Sequence, residues 1–595
     1  MKTLFIKHTI FLLSFLLVTT SVEPFIFNFL PPFFKAPLAL PLLQPPTPTT
    51  EQQVIKVGNK AAEAAVENGG SWEVIKENSG VSAMHLVILR NNKAVFFDAS
   101  VTGPSLFRLP KGQCRFDTRI KKKDCWAHGI EMDLVTYDLR PIKVVTDTWC
   151  SSGAFDEDGN LVQAGGWNDG GNAVRTLAPC DTCNWVENPK GLAVQRWYSS
   201  QQVLPDGRFI IIGGRRQMNF EYLPPPGQSN KITYDLPLLQ QTTDEVENNL
   251  YPFVHLLPDG NLFIFANNRS ILLDPRTTKV LREYPVLPGG SRNYPASAVS
   301  VLLPLDLNRQ GRKSRTISAE VLICGGAPHN AAKLAAAKPR TFLRALRSCG
   351  RITPTQPNPT WRTELMPSPR VMGDGLLLPN TDVLILNGAR RGTAGWYWAT
   401  EPNPQPLLYH PRNRRRNRFQ SLTPTTIPRM YHSSSAVLPD TSILVAGSNP
   451  IPAYNTTLGS DNPFPTEVRL EKFYPPYFNP SFDSQRPTLI SGGAPSDVKY
   501  GQAFALEFTV TANITADDVD LKVTMYTPPF TTHAVSMNQR LLILRMKGWE
   551  SAGENRYRVT VFAPPAPELA PAGYYMTFVV NHGVPSHAAW IKVHK

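Results

Sequence analysis

Val203-Leu204-Pro205-Asp206-Gly207-Arg208-Phe209-Ile210-Ile211-Ile212-Gly213-Gly214 is the stretch that decides the fold. A short apolar run meets a Pro-Asp-Gly turn, a β-branched run follows, and two glycines stop it. Asp-Gly between two such runs reads as a hairpin, because the turn needs residues that tolerate positive φ. The phrase returns as Leu256-Leu257-Pro258-Asp259-Gly260-Asn261-Leu262-Phe263-Ile264-Phe265-Ala266-Asn267, and as Gly153-Ala154-Phe155 through Asp158-Gly159 to Gly165-Gly166. Weaker copies end at Gly325-Gly326, Asn387-Gly388 and Gly447-Ser448. A recurrence of roughly 50–60 residues with paired short strands predicts propeller blades of the kelch kind. Each hairpin pair cannot bury its own faces and must stack on its neighbours. Counting the hairpin at 85–98 gives seven blades, give or take one, over residues 76–485.

The rest of the composition agrees with an all-β chain. There are 56 prolines and 39 glycines in 595 residues, with strand alternation and few long helical patterns. After Arg486-Pro487 the Gly-Gly phrase stops. Residues 486–595 carry alternating runs such as Ala503–Thr509, Tyr557–Phe562 and Tyr574–Val580, which predict an immunoglobulin-like β-sandwich.

The first 22 residues read as a secretory signal peptide: Lys2 and Lys7, an apolar run from Ile10 to Val18, then small polar residues. The run is too short for a membrane span, and no later run is longer. Residues 23–75 read as a proline-rich linker and entry segment. Secretion makes the seven cysteines a disulfide framework, with near neighbours paired as Cys114–Cys125, Cys180–Cys183 and Cys324–Cys349. Sequence alone does not fix that connectivity. Cys180-x-x-Cys183 has neither a βαβ setting nor a second CxxC, so a local disulfide is favoured over a redox or zinc motif. Cys150 is left over, and an odd cysteine in a secreted chain needs a role. Sequons at Asn268, Asn455 and Asn513 fit the same compartment. The net charge of +14, densest at Arg412, Arg414, Arg415, Arg416 and Arg418, suits an acidic cell-wall polysaccharide better than nucleic acid. A solvated loop accounts for the cluster equally well.

The chemistry-bearing residues stand just before strands. Arg429-Met430-Tyr431-His432-Ser433 puts a phenol beside an imidazole at the mouth of a strand. Taken alone, both read as ordinary strand residues. Tyr198, in Arg196-Trp197-Tyr198-Ser199, and Cys150, in Trp149-Cys150-Ser151-Ser152-Gly153, hold comparable places in successive blades. His533 lies in a loop of the C-terminal domain. Propellers gather such segments at one end of the central channel. Two imidazoles and two phenols converging there form an N₂O₂ set suited to tetragonal Cu(II).

These four motifs, with Thr532-His533-Ala534-Val535-Ser536-Met537-Asn538-Gln539-Arg540, resemble the copper radical oxidases over residues 75–595, the glyoxal oxidases more closely than galactose oxidase. The resemblance implies one copper ion on Tyr198, Tyr431, His432 and His533, and a thioether between Tyr198 and Cys150 that holds a radical. It implies that Tyr431 serves as general base, that an aldehyde reacts as its hydrate, and that O₂ leaves as H₂O₂. Copper and radical take one electron each. Galactose oxidase stacks a tryptophan on its cross-linked tyrosine from a position after the next Gly-Gly. Here Gly213-Gly214 leads into Arg215-Arg216, which favours small aldehydes over galactose and leaves Arg215, Arg216 and Tyr294 to shape the rim. The expectation is a monomeric, secreted apoplastic aldehyde oxidase with no nucleic-acid or membrane partner. A sugar alcohol oxidase and a non-catalytic glycan-binding propeller are the alternatives.

Overall fold

Each copy of the hairpin phrase lies inside a four-stranded antiparallel arrangement. The Val203 copy is typical. Ser199–Val203 pairs with Phe209–Gly213, which pairs with Asn219–Tyr222 and then Tyr234–Asp235. The computed structural model describes residues 69–309, 317–512, 514–515 and 520–595. Within them, seven such arrangements form in chain order, with inner strands His85–Leu89, Ser152–Phe155, Ser199–Val203, Phe253–Leu256, Val299–Leu302, Asp374–Leu377 and Ser433–Val437. We number the blades one to seven in that order. The signal peptide and residues 23–68 of the linker lie outside the described residues, as does Asn513.

The end of the entry segment enters the propeller: Ser71–Lys76 is a strand, and it pairs antiparallel with Leu470–Tyr474 as the outer edge of blade seven. This strand precedes blade one in sequence but belongs to blade seven, which leaves that blade's third strand paired on both sides.

Residues 486–595 form the expected sandwich. One sheet runs through Asp497–Lys499, Ala589–His594, Gly573–Asn581, Leu521–Thr527 and Arg540–Ile543; the other runs through Thr488–Leu489, Ala503–Thr509, Arg556–Phe562 and Arg545–Gly553. Alternation sets its core, since Phe504, Leu506 and Phe508 are buried while Ala503 and Thr509 are exposed. Leu305–Asp306 of blade five joins the first sheet in parallel, and one apolar core runs from that blade into the sandwich. The described residues contain no helix long and apolar enough to cross a membrane.

One hairpin of the C-terminal region leaves the sandwich. Phe530–Thr532 and Val535–Met537 pair with each other, and Thr532 and Thr531 pair with His85 and Leu86 of blade one. This hairpin also touches the inner strands of blades two, three, five, six and seven. A segment that meets so many inner strands occupies the axis of the ring.

Candidate metal centre

The blades aim their side chains at the axis by a shared backbone device. A residue one or two positions before the inner strand has positive φ in six of them: Cys150 56°, Tyr198 67°, Tyr251 48°, Ser297 39°, Met372 60° and His432 64°. Tyr198 N–H donates to the Cys150 carbonyl at 3.0 Å, and Tyr251 N–H to the Tyr198 carbonyl at 2.9 Å, so neighbouring blades lock in register. Non-glycine residues in this region are costly, on the order of 1–3 kcal/mol each, and persist where the surroundings over-determine them.

A buried arginine fixes four of these turns. Arg196, Arg292, Arg370 and Arg429 each stand two residues before Tyr198, Tyr294, Met372 and Tyr431. Each guanidinium donates to a carbonyl at the end of its blade's second strand or one residue past it, at Gly213, Gly325, Asn387 and Gly447. Arg196 and Arg429 also pair with buried Glu221 and Glu471 at 2.9 and 2.8 Å. The glycines beside these arginines are compulsory. A Cβ on Gly165 would lie 2.1 Å from the Arg196 carbonyl oxygen, and one on Gly325 would lie 2.3 Å from that of Arg370. The Gly-Gly ending is therefore the socket for the next blade's arginine segment. Three of the four share an arginine-x-tyrosine spacing, a local sequence signal that also marks Tyr294.

His533 arrives from the opposite side. It and Ala534 are the two residues of the axial hairpin turn, with φ of 48° and 68°. Two positive φ values are the demand of a two-residue turn that usually carries Asn-Gly, so a histidine there gives up local preference for position. The residues after it hold the hairpin down. Asn538 bonds Val203 N–H, Gly153 O and Gln201 O, Gln539 bonds Leu377 N–H and Gly375 O, and Arg540 donates to Leu256 O.

All five residues singled out in the sequence meet. Cys150 Sγ lies 3.2 Å from His533 Nε2, and the donor atoms of Cys150, His432 and His533 all lie within 4.8 Å of one another. The His432 ring stacks on Tyr431 with centroids 3.8 Å apart and meets His533 edge-on at 4.7 Å. The Tyr294 hydroxyl is 2.9 Å from that of Tyr431 and 3.2 Å from that of Tyr198. Tyr251, which the sequence reading passed over, holds the Cys150 turn through a 3.0 Å bond from its hydroxyl to Ser151 O. It occupies the same pre-strand place in blade four.

The electrostatics suit a cation. Burial, with a contribution from His85, holds the His432 imidazole well below the usual histidine range; burial, His432 and His85 do the same to His533. Both rings are therefore neutral, as metal ligands must be. Thr532 Oγ1 lies 2.5 Å from His533 Nδ1, leaving Nε2 turned to the site. Both ring nitrogens of His432 are buried without a protein partner. Such orphans are rare in folded proteins and point to an ion or water. Burial pushes the phenols of Tyr198 and Tyr431 and the thiol of Cys150 well up, as expected for groups that ionise only against a positive charge. The residues fit copper in donor type and burial.

Residues 84–477 match the glyoxal oxidase N-terminus family, and residues 486–593 match the galactose oxidase-like, Early set domain. The chain belongs to the glyoxal oxidase family. It is 48% identical over 527 residues to aldehyde oxidase GLOX1 of Arabidopsis thaliana, covering 88% of this chain and 84% of that protein. It is 42% identical to aldehyde oxidase GLOX of Vitis pseudoreticulata, covering 88% and 97%. Galactose oxidase of Gibberella zeae is more distant, 25% identical over 75% of this chain and 61% of its own length. A fungal alcohol oxidase of the AA5 family, solved in complex with copper, has the same fold with a TM-score of 0.65 at 17% identity, over 89% of this chain and all of that one.

In this member of the glyoxal oxidase family, the ring face of Tyr198 is covered from another blade. No tryptophan follows Gly213-Gly214; the ring of Tyr294, from blade five, lies on Tyr198 instead, with centroids 4.5 Å apart. Arg215 stands at the rim, 5.4 Å over the Trp197 ring and 3.0 Å from Glu247, and Arg216 N–H donates to the same carboxylate. The disulfides Cys114–Cys125, Cys180–Cys183 and Cys324–Cys349 form, and Cys150 is free and buried.

Proposed function

We propose that this glyoxal oxidase family member is a secreted copper radical oxidase that converts small aldehydes to carboxylic acids and O₂ to H₂O₂. The observation that carries this reading is the convergence of His432, His533, Tyr198 and Tyr431 in one buried cluster in which both nitrogens of His432 have no protein partner. His432, His533, Tyr198 and Tyr431 would hold the copper. When bound, copper supplies one of the two electron acceptors and the place where O₂ is reduced.

The chain's own groups supply the rest. Cys150 lies against Tyr198 from the preceding blade, and a thioether between them explains why one cysteine of seven stays outside the disulfides. The substituted ring is easier to oxidise and is the second electron acceptor. Tyr431 is the general base that takes the hydroxyl proton of the aldehyde hydrate. Tyr294, hydrogen-bonded to both phenols, keeps them oriented. Three facts support the extracellular reading: the leader sequence, three disulfides, and an exposed Asn455 sequon. Arg414, Arg415 and Arg416 are exposed and offer a contact for acidic wall polysaccharide, whereas Arg412 and Arg418 are paired with Asp306 and Glu364.

The test is peroxide release by the copper-loaded, oxidised protein given glyoxal, methylglyoxal and galactose in parallel. Peroxide from the aldehydes is the expected result. Intact mass distinguishes the cofactor: wild type should be lighter than its sequence by the two hydrogens that cross-linking removes, beyond those lost to disulfides, and Cys150→Ser should not be. Full turnover by Cys150→Ser overturns the radical assignment.

A further inference from the structure

Blade six carries an insertion between its second and third strands that the oxidase reading above does not use. Ala389–Gly392 and Ala399–Pro402 form a separate two-stranded hairpin, and residues 393–398 are its tip. The tip touches blades other than its own. Ala394 N–H donates to Pro295 O of blade five at 2.9 Å, and Tyr397 N–H donates to Pro450 O of blade seven at 2.9 Å. The Trp396 indole stacks on Trp149, at the start of blade two, with centroids 5.1 Å apart and planes 19° from parallel. A blade-six segment that reaches blades two, five and seven crosses the mouth of the channel.

The contacts fall on the neighbours of the site residues. Trp149 precedes Cys150, Pro295 follows Tyr294, and Trp197, which meets Trp149 edge-on at 5.0 Å, precedes Tyr198. Trp396, Trp149 and Trp197 thus make a continuous indole layer that reaches Tyr198 through Trp197, with 4.7 Å between those ring centroids. Tyr198 is 5% and Tyr294 8% exposed beneath it. The layer is fixed rather than loosely laid. Arg391 pairs with Glu401 at 2.9 Å across the hairpin, and Gly392 N–H donates to Leu343 O at 2.8 Å. At Gly395, φ is 140° and a Cβ would meet the Trp398 ring at 2.3 Å, so the tip takes this shape only with glycine there.

We propose that the Trp396 tip is a roof that sets the size of substrate reaching the centre, admitting short-chain aldehydes and their hydrates and shutting out hexose-sized primary alcohols. The inference rests on the oxidase reading for the identity of the substrates, but not for the access it controls. A rigid indole layer rejects by overlap, the repulsive element by which a site excludes one ligand while admitting another. A platform that stacks sugars is the opposite use of the same indoles.

The test uses the full copper-loaded protein and Trp396→Ala, Trp396→Phe and Gly395→Ala. Azide and 4-phenylimidazole are titrated against the copper absorption, and peroxide is measured from glyoxal and from galactose. The roof predicts that azide binds all forms, and that 4-phenylimidazole binds Trp396→Ala and Gly395→Ala at least about tenfold more tightly than wild type. The galactose-to-glyoxal ratio of kcat/KM should rise by a similar factor in both, with Trp396→Phe near wild type. Equal 4-phenylimidazole affinity in wild type and Trp396→Ala overturns the proposal. A fall in the galactose ratio also overturns it and identifies a sugar platform. No peroxide from glyoxal in copper-loaded wild type counts against the oxidase reading alone, because the ligand titrations still decide the roof.

Discussion

The rings of Tyr198 and Tyr294 lie face to face, with centroids 4.5 Å apart, planes 26° from parallel and hydroxyls 3.2 Å apart. The two residues are 96 positions apart and come from blades three and five. Tyr294 therefore contributes a ring face to one phenol and a hydrogen bond to each of two, Tyr198 and Tyr431. Tyr294→Phe keeps the face and removes both bonds; Tyr294→Leu removes both features. One hydrogen bond between neutral groups is worth about 1 kcal/mol, so Tyr294→Phe, which removes two, should lower kcat/KM for glyoxal by about thirtyfold. Tyr294→Leu should lose more and should also shift the optical band of the oxidised Tyr198. Identical spectra for the two variants would remove the ring from the account.

Copper should act as a structural ligand as well as a redox one. His432 keeps two buried nitrogens without partners, and His533 faces it at 4.7 Å between ring centroids. A ligand bound only by the folded state stabilises by about 2.7 kcal/mol at a hundredfold excess over Kd. Wild type should melt several degrees lower after chelation. His432→Ala and His533→Ala should retain no bound copper on gel filtration and should show no chelator effect on Tm. Retention of copper by either variant would exclude that residue as a ligand.

The sequence showed the blades because each repeats a local event, a Pro/Asp-Gly turn between two strands and a glycine stop. It brought Cys150, Tyr198, Tyr431 and His432 forward because each stands just ahead of an inner strand, while His533 lies in the turn of the axial hairpin. Features made by distant partners were not legible. Ser71–Lys76 lacks the turn phrase, and its pairing with Leu470–Tyr474 lies about 400 residues along the chain, so it passed as linker and entry segment. Trp396 gives no local sign of its partner, because Trp149 meets it only across the closed ring. The arginine cluster looked uniform in sequence, but Asp306 and Glu364, from other strands, neutralise two of its members.

The arginine sockets should be the costliest polar sites outside the centre. Arg429 is 2% exposed; its guanidinium meets Glu471 at 2.8 Å, Gly447 O at 2.8 Å and Arg469 O at 3.0 Å. Removing one partner of a buried ion pair leaves the other charge uncompensated, at a cost on the order of 3–5 kcal/mol. Arg429→Leu should lose about that much in urea unfolding, and the copper site two residues away should be disordered as well. Arg429→Leu with Glu471→Leu should recover much of the stability but not the copper affinity, because the bond that fixes the turn before Tyr431 is still missing. Recovery of both would show that only the stranded charge mattered.

A second buried carboxyl gives the protein a pH signature. Asp374 is fully buried at the start of the blade-six inner strand, where Oδ2 accepts from Ser435 Oγ at 2.8 Å and Asn387 Nδ2 at 3.0 Å, and Oδ1 has no partner. Burial pushes this carboxyl up from 3.8 to about 7, against the two hydrogen bonds. Below the unfolded value both states hold the proton, and the residue's full contribution is present. As pH rises the unfolded chain ionises first, so stability is lost progressively until the folded group also ionises near 7. The loss from this one group is on the order of 4 kcal/mol at most. Asp374→Asn keeps an acceptor oxygen for Ser435 and Asn387 and has no proton to lose. The variant should match wild type near pH 4 and exceed it by a growing margin up to about pH 7.5, with unfolding by urea at each pH as the measurement. A constant offset between the two curves would mean that Asp374 ionises alike in the folded and unfolded chain.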